Sequence, residues 1–459
     1  MEKPKLGVAL FKSEWFEAIE RIETPDVENI LTLLRESFDV VFPCEISSME
    51  NARIAEREFT SNQVDAVIYI FMMWSDDFPL IHLVRKFRHL PAMVWCFTPY
   101  DRLPDSLDIR GLFRGSGSVG FFQGSAPLSK MGLNFELCFG AVTDEDTKAK
   151  LKDYSCALSI KKRLESLRIG QLNPRCGCMT GTFVDEFKLR ATFGSEVIPL
   201  TAYRVLQEAE TISDATIKDY ITSLKNKYRI IDVSDEALYY SARATLAIEK
   251  LVLEEDLGLL AIEDLNEEMH QLLKTRPCLW TERLEERDIV FSEEGDTVSG
   301  LCVLLTSLMS GSPCMYSEIF TFDKPENTLV VGHAGIHDIR VAGDNEITII
   351  PDMEYEGIDE VSGAWMRFYG RSGRVTLTSM FSTDKGYRMI SFKGTVIDGG
   401  SKMDKGFSHV CVKCDRDIAE IYETLARYGV TQHFSVCWSD INDRLEVFCR
   451  VMGMEYAGL

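Results

Sequence analysis

Short apolar runs rich in Val, Ile and aromatics recur through the first hundred residues, at 6–11, 38–42, 64–71 and 92–97. Continuous apolar runs of this length predict strands buried on both faces. Between them the periodicity changes to that of a helix. Thr24 is placed as an N-cap and Pro25 as the first helical residue, with Val27, Ile30, Leu31 and Leu34 on one face. Further helices are expected near 48–59 and 78–87. Strand and helix alternating at this rhythm predict parallel strands joined by right-handed crossovers, a doubly wound sheet. Ligands of such sheets gather at the carboxyl ends of the strands.

Residues 144–166 read as a long, charged, amphipathic helix leading out of this first domain. A second α/β set opens at 167–172 and runs on through helices near 202–209, 214–227, 235–254 and 257–273, with another after Gly295. From about Thr321 the pattern becomes alternating and β-branched, at 328–331, 346–350, 365–369, 374–380 and 387–397, punctuated by Gly, Asp and Asn. That pattern predicts an antiparallel barrel or sandwich. Amphipathic helices at 415–428 and 440–452 close the chain. The expected organisation is α/β throughout 1–166 and 167–320, followed by a β-rich C-terminal domain over 321–459.

The chain has 459 residues, 45% hydrophobic, so there is ample length for large cores. Its net charge of −22 repels phosphate backbones and argues against nucleic acid as a partner. No apolar run reaches the length of a membrane span, and the first residues lack the apolar stretch of a signal peptide, so a soluble, cytoplasmic protein is expected. Thirteen scattered cysteines, an odd number, favour packed thiols over disulfides. The pairs Cys176-Gly-Cys178 and Cys411-Val-Lys-Cys414 lack the partner ligands of a zinc site and are read as packing.

The segment Gly115-Ser-Gly117-Ser-Val-Gly120 matches a dinucleotide-binding loop literally, but no strand leads directly into it as that fingerprint requires. A flexible active-site loop is the favoured reading there. Asp76-Asp77 invites a substrate role at a strand end, against the plainer reading of a helix N-cap.

Residues 291–333 carry the chemistry. Glu294-Gly-Asp296 precedes a helical run, Glu318 sits within Tyr316-Ser-Glu-Ile-Phe-Thr-Phe322, and His333 ends an apolar strand. His433 follows Gln432 near the terminus. A glutamate near a helix start is favoured by the helix dipole, and Glu294 has that simple explanation open to it. Glu318 is harder to explain that way, because a carboxylate among apolar side chains is costly to bury without a cation or donors. Two carboxylates and two imidazoles together make an N/O set suited to Mn²⁺, with Mg²⁺ and Co²⁺ as less specific alternatives.

The order and context of Glu294, Glu318, Val-Gly-His333 and His433 resemble the L-arabinose isomerase and L-fucose isomerase superfamily, metal-dependent aldose–ketose isomerases. The resemblance implies two Rossmann-like doubly wound domains before the β-rich domain. It also implies a homo-oligomer, a trimer or hexamer. Phe122-Gln123-Gly-Ser-Ala126 is similar to a stretch whose glutamine binds substrate for a neighbouring subunit's site. The chain departs from the arabinose isomerases in having Lys12-Ser-Glu-Trp15 after the first strand and Gln432-His433 in place of paired histidines. The metal and proton-transfer groups are thus retained, and the sugar-selecting shell is altered.

What the resemblance implies chemically is proton transfer between adjacent carbons through a cis-enediol, with a divalent cation polarising the carbonyl. Glu294 and Glu318 are expected to bind the metal and serve as acid and base, with His333 and His433 completing the set. Gln123, Lys12 and Trp15 are the expected sugar contacts. Lys12 is suited to an anionic group such as a carboxylate or sulfonate, although a neutral aldose is the first expectation. The alternatives are a sugar epimerase using the same glutamates and a non-catalytic sugar-binding protein on the same fold.

Overall fold

Five strands, β1 (Lys5–Phe11), β2 (Asp39–Val41), β3 (Ala66–Phe71), β4 (Ala92–Phe97) and β5 (Glu136–Gly140), form the first sheet in the order β2-β1-β3-β4-β5. Every pairing in it is parallel, with Leu6 opposite Ala66 and Phe11 opposite Phe71. β3 and β4 are buried at every position, as their unbroken apolar sequences predict. The strand order reverses between β1 and β3, and Lys12 leaves the sheet at that switch point.

The computed structural model describes residues 2–13, 25–355, 363–397, 402–403 and 406–459. Thr24 and Trp15 lie outside the described residues. The chain divides into two units, Met1–Lys162 with Asp443–Glu455, and Arg163–Asn442 with Tyr456–Leu459. In the first, the helix Asn442–Met452 is tied in by Arg444 to Asp153 (2.8 Å) and Arg450 to the buried Glu136 (2.8 Å).

One expectation for this unit needs correction. The glycines at 115–120 do not form a flexible loop, because Gly117–Lys130 is a helix. A side chain at Gly117 would meet the carbonyl oxygens of Phe97 and Phe71 at 2.3 and 2.5 Å, and one at Gly120 that of Met73 at 2.3 Å. The glycines therefore let a helix lie directly on the strand ends, a packing demand that copies a nucleotide motif. Asp76 does occupy the N-cap position of the helix Asp77–Phe87, but its side chain makes no capping hydrogen bond.

The second unit begins with another parallel sheet, β6 (Arg168–Leu172), β7 (Glu196–Leu200), β9 (Leu259–Ile262) and β10 (Val290–Ser292), in the order β10-β9-β6-β7. The helix expected over 257–273 is here a strand followed by the shorter helix Glu267–Leu273. Leu259–Ile262 is too short and too uniformly apolar for its periodicity to decide, and pairing with β6 and β10 makes it a strand. β8 (Arg229–Ile230) joins β13 (Thr348–Pro351) and β14 (Ala364–Arg367) in a small mixed sheet.

Six antiparallel strands close into a barrel: β11 (Met315–Asp323), β12 (Thr328–His333), β15 (Gly373–Thr383), β16 (Gly386–Val396), β17 (Ser408–Cys414) and β18 (His433–Cys437). The circuit β15-β18-β11-β12-β17-β16 returns to β15, and β19 (Glu455–Gly458) adds to β16 at one edge. One apolar core runs from the parallel sheet, through Leu260, Ile262 and Phe291, into the barrel, through Val331, Leu377, Phe392 and Val436. The barrel thus starts at Met315, some residues earlier than the change of pattern near Thr321. No helix among the described residues is long and apolar enough to cross a membrane.

Candidate functional site

The four candidate ligands come together where β10 and the barrel strands end. Glu294 lies in the turn after β10, Glu318 in β11, His333 at the end of β12 and His433 at the start of β18. Barrel register does part of the work: Glu318 pairs with Gly332 on one side and with His433 on the other. One ligand atom from each of Glu294, Glu318, His333 and His433 lies within 4.8 Å of the others. This set can hold a metal ion.

The turn that delivers Glu294 is tight. Glu294 has a φ of 57° and Gly295 of 67°, so two successive residues adopt the left-handed conformation. That is unfavourable for a glutamate and persists only where the surroundings enforce it. Here the Glu294 amide donates to Asp264 Oδ1 at 2.8 Å, and Asp296 then caps the helix Thr297–Ser310 by accepting from the Ser299 amide at 2.9 Å.

Both imidazoles are oriented by carboxylates. His333 Nδ1 lies 2.8 Å from Glu293 Oε2, and His433 Nδ1 lies 2.7 Å from Asp296 Oδ2. The other oxygen of Glu293 accepts from the Ile336 amide at 2.6 Å. These contacts select the tautomer that protonates Nδ1 and leaves Nε2 bare. The Nε2 atoms of His333 and His433 are both buried without a hydrogen bond. Glu294 Oε2 is 3.1 Å and Glu318 Oε1 3.6 Å from His433 Nε2, but neither makes a hydrogen bond with it. Bare, buried imidazole nitrogens facing carboxylates fit a cation better than they fit one another.

Tyr316 packs its ring 4.9 Å from His333 and 4.8 Å from His433, and its hydroxyl donates to the Glu293 carbonyl at 3.2 Å. Burial pushes the Glu293 carboxyl up to about 7, with Asp264 adding to the effect. Burial opposes the charged form of His333, yet the Glu293 hydrogen bond and charge outweigh it and hold the imidazole up at about 9. At that value the metal-free imidazole carries a proton on Nε2 at neutral pH, which a cation bound at that nitrogen would displace.

Beneath the site Arg276, 1% exposed, gathers three carboxylates. It donates to Asp264 at 3.0 Å and to both oxygens of Asp352 at 3.0 and 2.8 Å, and it pairs with Glu354. Sequence reasoning alone does not mark Glu293, Asp264, Arg276 or Tyr316 as site residues. The tandem acids Glu293-Glu294 before a glycine were a usable signal, whereas nothing in Thr-Arg276-Pro marks its role.

Gln123 lies in the helix Gly117–Lys130, and Lys12 forms an ion pair with Glu45, so its charge is already matched locally. Both belong to the first unit, whereas the carboxylates and histidines belong to the second.

Two predictions arise from this geometry. In Asp296→Asn the single amide oxygen keeps the Ser299 cap only by turning the NH2 group toward His433 Nδ1–H, so the imidazole loses its acceptor and divalent-metal affinity should fall about 10- to 100-fold with little change in stability. Calorimetric metal titration and urea unfolding check this together. The second concerns His337, fully buried, with Nε2 2.9 Å from the His333 carbonyl oxygen. Burial pushes it down to about 4. The unfolded chain protonates this imidazole below about 6.5 while the folded chain does not, so stability is lost as pH falls through that window. Relative to His337→Gln, the wild type should lose about 2 kcal/mol of stability between pH 7 and pH 5. Equal pH slopes in urea unfolding would show that the folded site takes up the proton.

No family model matches the chain. It is similar to the sulfoquinovose isomerase of Alkalicoccus urumqiensis, 21% identical over 418 residues that cover 90% of each chain. It is also similar to the sulfoquinovose isomerases of Priestia aryabhattai and Priestia megaterium, each 19% identical over 416 residues covering 89% of each chain. These likenesses, spread over nearly the whole length, support a sugar-isomerase family for the chain.

Proposed function

We propose that this protein is a metal-dependent aldose–ketose isomerase that acts on a sulfonated hexose, sulfoquinovose being the first candidate. The observation that carries the reading is the cluster of the buried Glu294, His333 and His433 with the partly exposed Glu318, both imidazoles being turned inward by Glu293 and Asp296. The sulfoquinovose isomerases it resembles suggest the sugar. The order of the cluster along the chain also keeps the L-arabinose and L-fucose isomerase superfamily as the proposed wider kinship, with a cytoplasmic trimer or hexamer as the expected assembly.

A divalent cation, Mn²⁺ by preference and Mg²⁺ or Co²⁺ otherwise, would polarise the carbonyl and make the neighbouring C–H acidic. Glu294, Glu318, His333 and His433 would hold it. One of the two glutamates would take the proton from C2, the hydroxyl-bearing carbon beside the C1 aldehyde, and return it to C1, while the other moves a proton from O2 to O1 as the cis-enediol forms and collapses to the ketose. Gln432, whose amide lies 3.5 Å from Glu294 Oε2, is placed to steady that carboxylate. Tyr316 and the barrel wall keep water from the imidazoles.

The test incubates metal-stripped protein, with and without Mn²⁺, with sulfoquinovose, L-arabinose, L-fucose and glucose, and reads products by NMR. Mn²⁺-dependent formation of a ketose from sulfoquinovose is the expected result. A stereoisomeric aldose instead would establish epimerisation, and no metal binding at all would overturn the reading.

A further inference from the structure

The loop that leaves β6 at its carboxyl end, residues 173–183, borders the ligand cluster from two sides. On one side it lies against the turn that carries Glu294: a side chain at Gly295 would meet the Arg175 Cα at 3.2 Å and the Pro174 carbonyl oxygen at 3.3 Å. On the other, Met179 Sδ accepts from Gln432 Nε2 at 3.3 Å, and Gly181 lies against Thr431. The loop thus touches both the β10 turn and the residues just before His433. It departs from β6 beside β9, where the order of the parallel sheet reverses and such sheets place their ligands.

The surroundings are strongly acidic. Glu263, Asp264, Glu293 and Asp296 stand close to Glu294 and Glu318, in a chain of net charge −22. A divalent cation matches only part of this charge, so a sugar bearing a permanent anion is repelled unless a further positive group receives it. Two arginines belong to this region. Arg276 is buried and committed to Asp264, Asp352 and Glu354. Arg175 is exposed, and its guanidinium lies 3.4 Å from the centre of the Phe183 ring. Among the described residues no carboxylate pairs with it. Stacking on an aromatic face restrains a guanidinium while leaving its N–H fork free for an anion.

Resting on the isomerase reading above, we propose that Arg175, restrained by Phe183, is the residue that receives the anionic end of the substrate and selects a sulfonated hexose over an uncharged one. The reacting end of the sugar lies at Glu294 and Glu318, and the sulfonate reaches out to the loop. Paired N–H donors directed at a sulfonate form the charge-assisted contacts that distinguish it from a methyl or hydroxymethyl group.

The test compares wild type, Arg175→Gln, Arg175→Lys and Phe183→Leu on sulfoquinovose, its sulfonate-free analogue 6-deoxyglucose, and glucose 6-phosphate, each protein loaded with Mn²⁺. The ratio of kcat/KM for sulfoquinovose to that for 6-deoxyglucose should fall about 10- to 100-fold in Arg175→Gln, mostly through KM. It should recover in part in Arg175→Lys and fall less in Phe183→Leu. Mn²⁺ affinity, measured by titration, should be equal in all four proteins. An unchanged ratio in Arg175→Gln overturns the assignment, and a wild type that prefers glucose 6-phosphate reassigns the arginine to a phosphate. If the wild type converts none of these sugars, the isomerase reading fails by itself. Arg175 is then judged by calorimetric binding of sulfoquinovose: loss of binding in Arg175→Gln supports it, whereas equal or absent binding by both proteins overturns it.

Discussion

Glu318→Gln should lower kcat for ketose formation by about 10²- to 10⁴-fold at saturating Mn²⁺. Glu318 is the most accessible of the four candidate ligands, with its side chain 28% exposed against 11% for Glu294, 5% for His333 and 0% for His433. It is therefore the group best placed to meet a substrate carbon. The amide preserves the size of the side chain and the pairing of β11 with β12 and β18, but it can neither accept a proton nor offer a charged oxygen to a cation. Metal affinity should fall as well, so the experiment is run across a Mn²⁺ titration and kcat is read from its plateau. A plateau equal to that of the wild type would remove Glu318 from proton transfer and leave it as a ligand alone.

Arg276→Met should destabilise the second unit by about 3–5 kcal/mol, the usual cost of removing one partner from a buried ionic network. Asp264 and Asp352, 3% and 4% exposed, would remain in the interior without their counter-charge. The variant should also bind metal more weakly. Asp264 uses its second oxygen to hold the Glu294 amide, and the left-handed turn at Glu294 depends on that contact. Urea unfolding measures the first effect and metal titration the second. Replacing Arg276, Asp264 and Asp352 together by apolar residues of similar volume should restore much of the stability, because the cost lies in the unmatched charges, but not the metal affinity. Full metal affinity in the triple variant would show that the turn at Glu294 holds without Asp264.

Much of the architecture was legible along the chain because buried parallel strands are unbroken apolar runs, and β1, β3 and β4 have no competing interpretation. The four candidate ligands were legible for a related reason. Glu318 is a carboxylate inside an apolar strand, and His333 ends one, and such residues stand out against a background that excludes charge.

Other features depended on contacts between distant segments. Leu259–Ile262 is a strand because β6 and β10 flank it, since four apolar residues suit either a helix or a strand. The glycines at 117 and 120 carry a helix over strand ends, which no local pattern separates from a phosphate loop. Closure of the barrel rests on pairing β15 with both β16 and β18, and the second of these partners is far away in the chain. By itself the sequence determined which residues could be buried, and so which carboxylates and histidines were out of place. The tertiary structure decided which carboxylate orients each imidazole, that Arg276 underlies Glu294, and that Arg175 flanks the cluster. The physical reason is the range of the interactions: periodicity and burial are properties of neighbouring residues, whereas hydrogen bonds such as that between Asp296 and His433 join segments that meet only when the chain has folded.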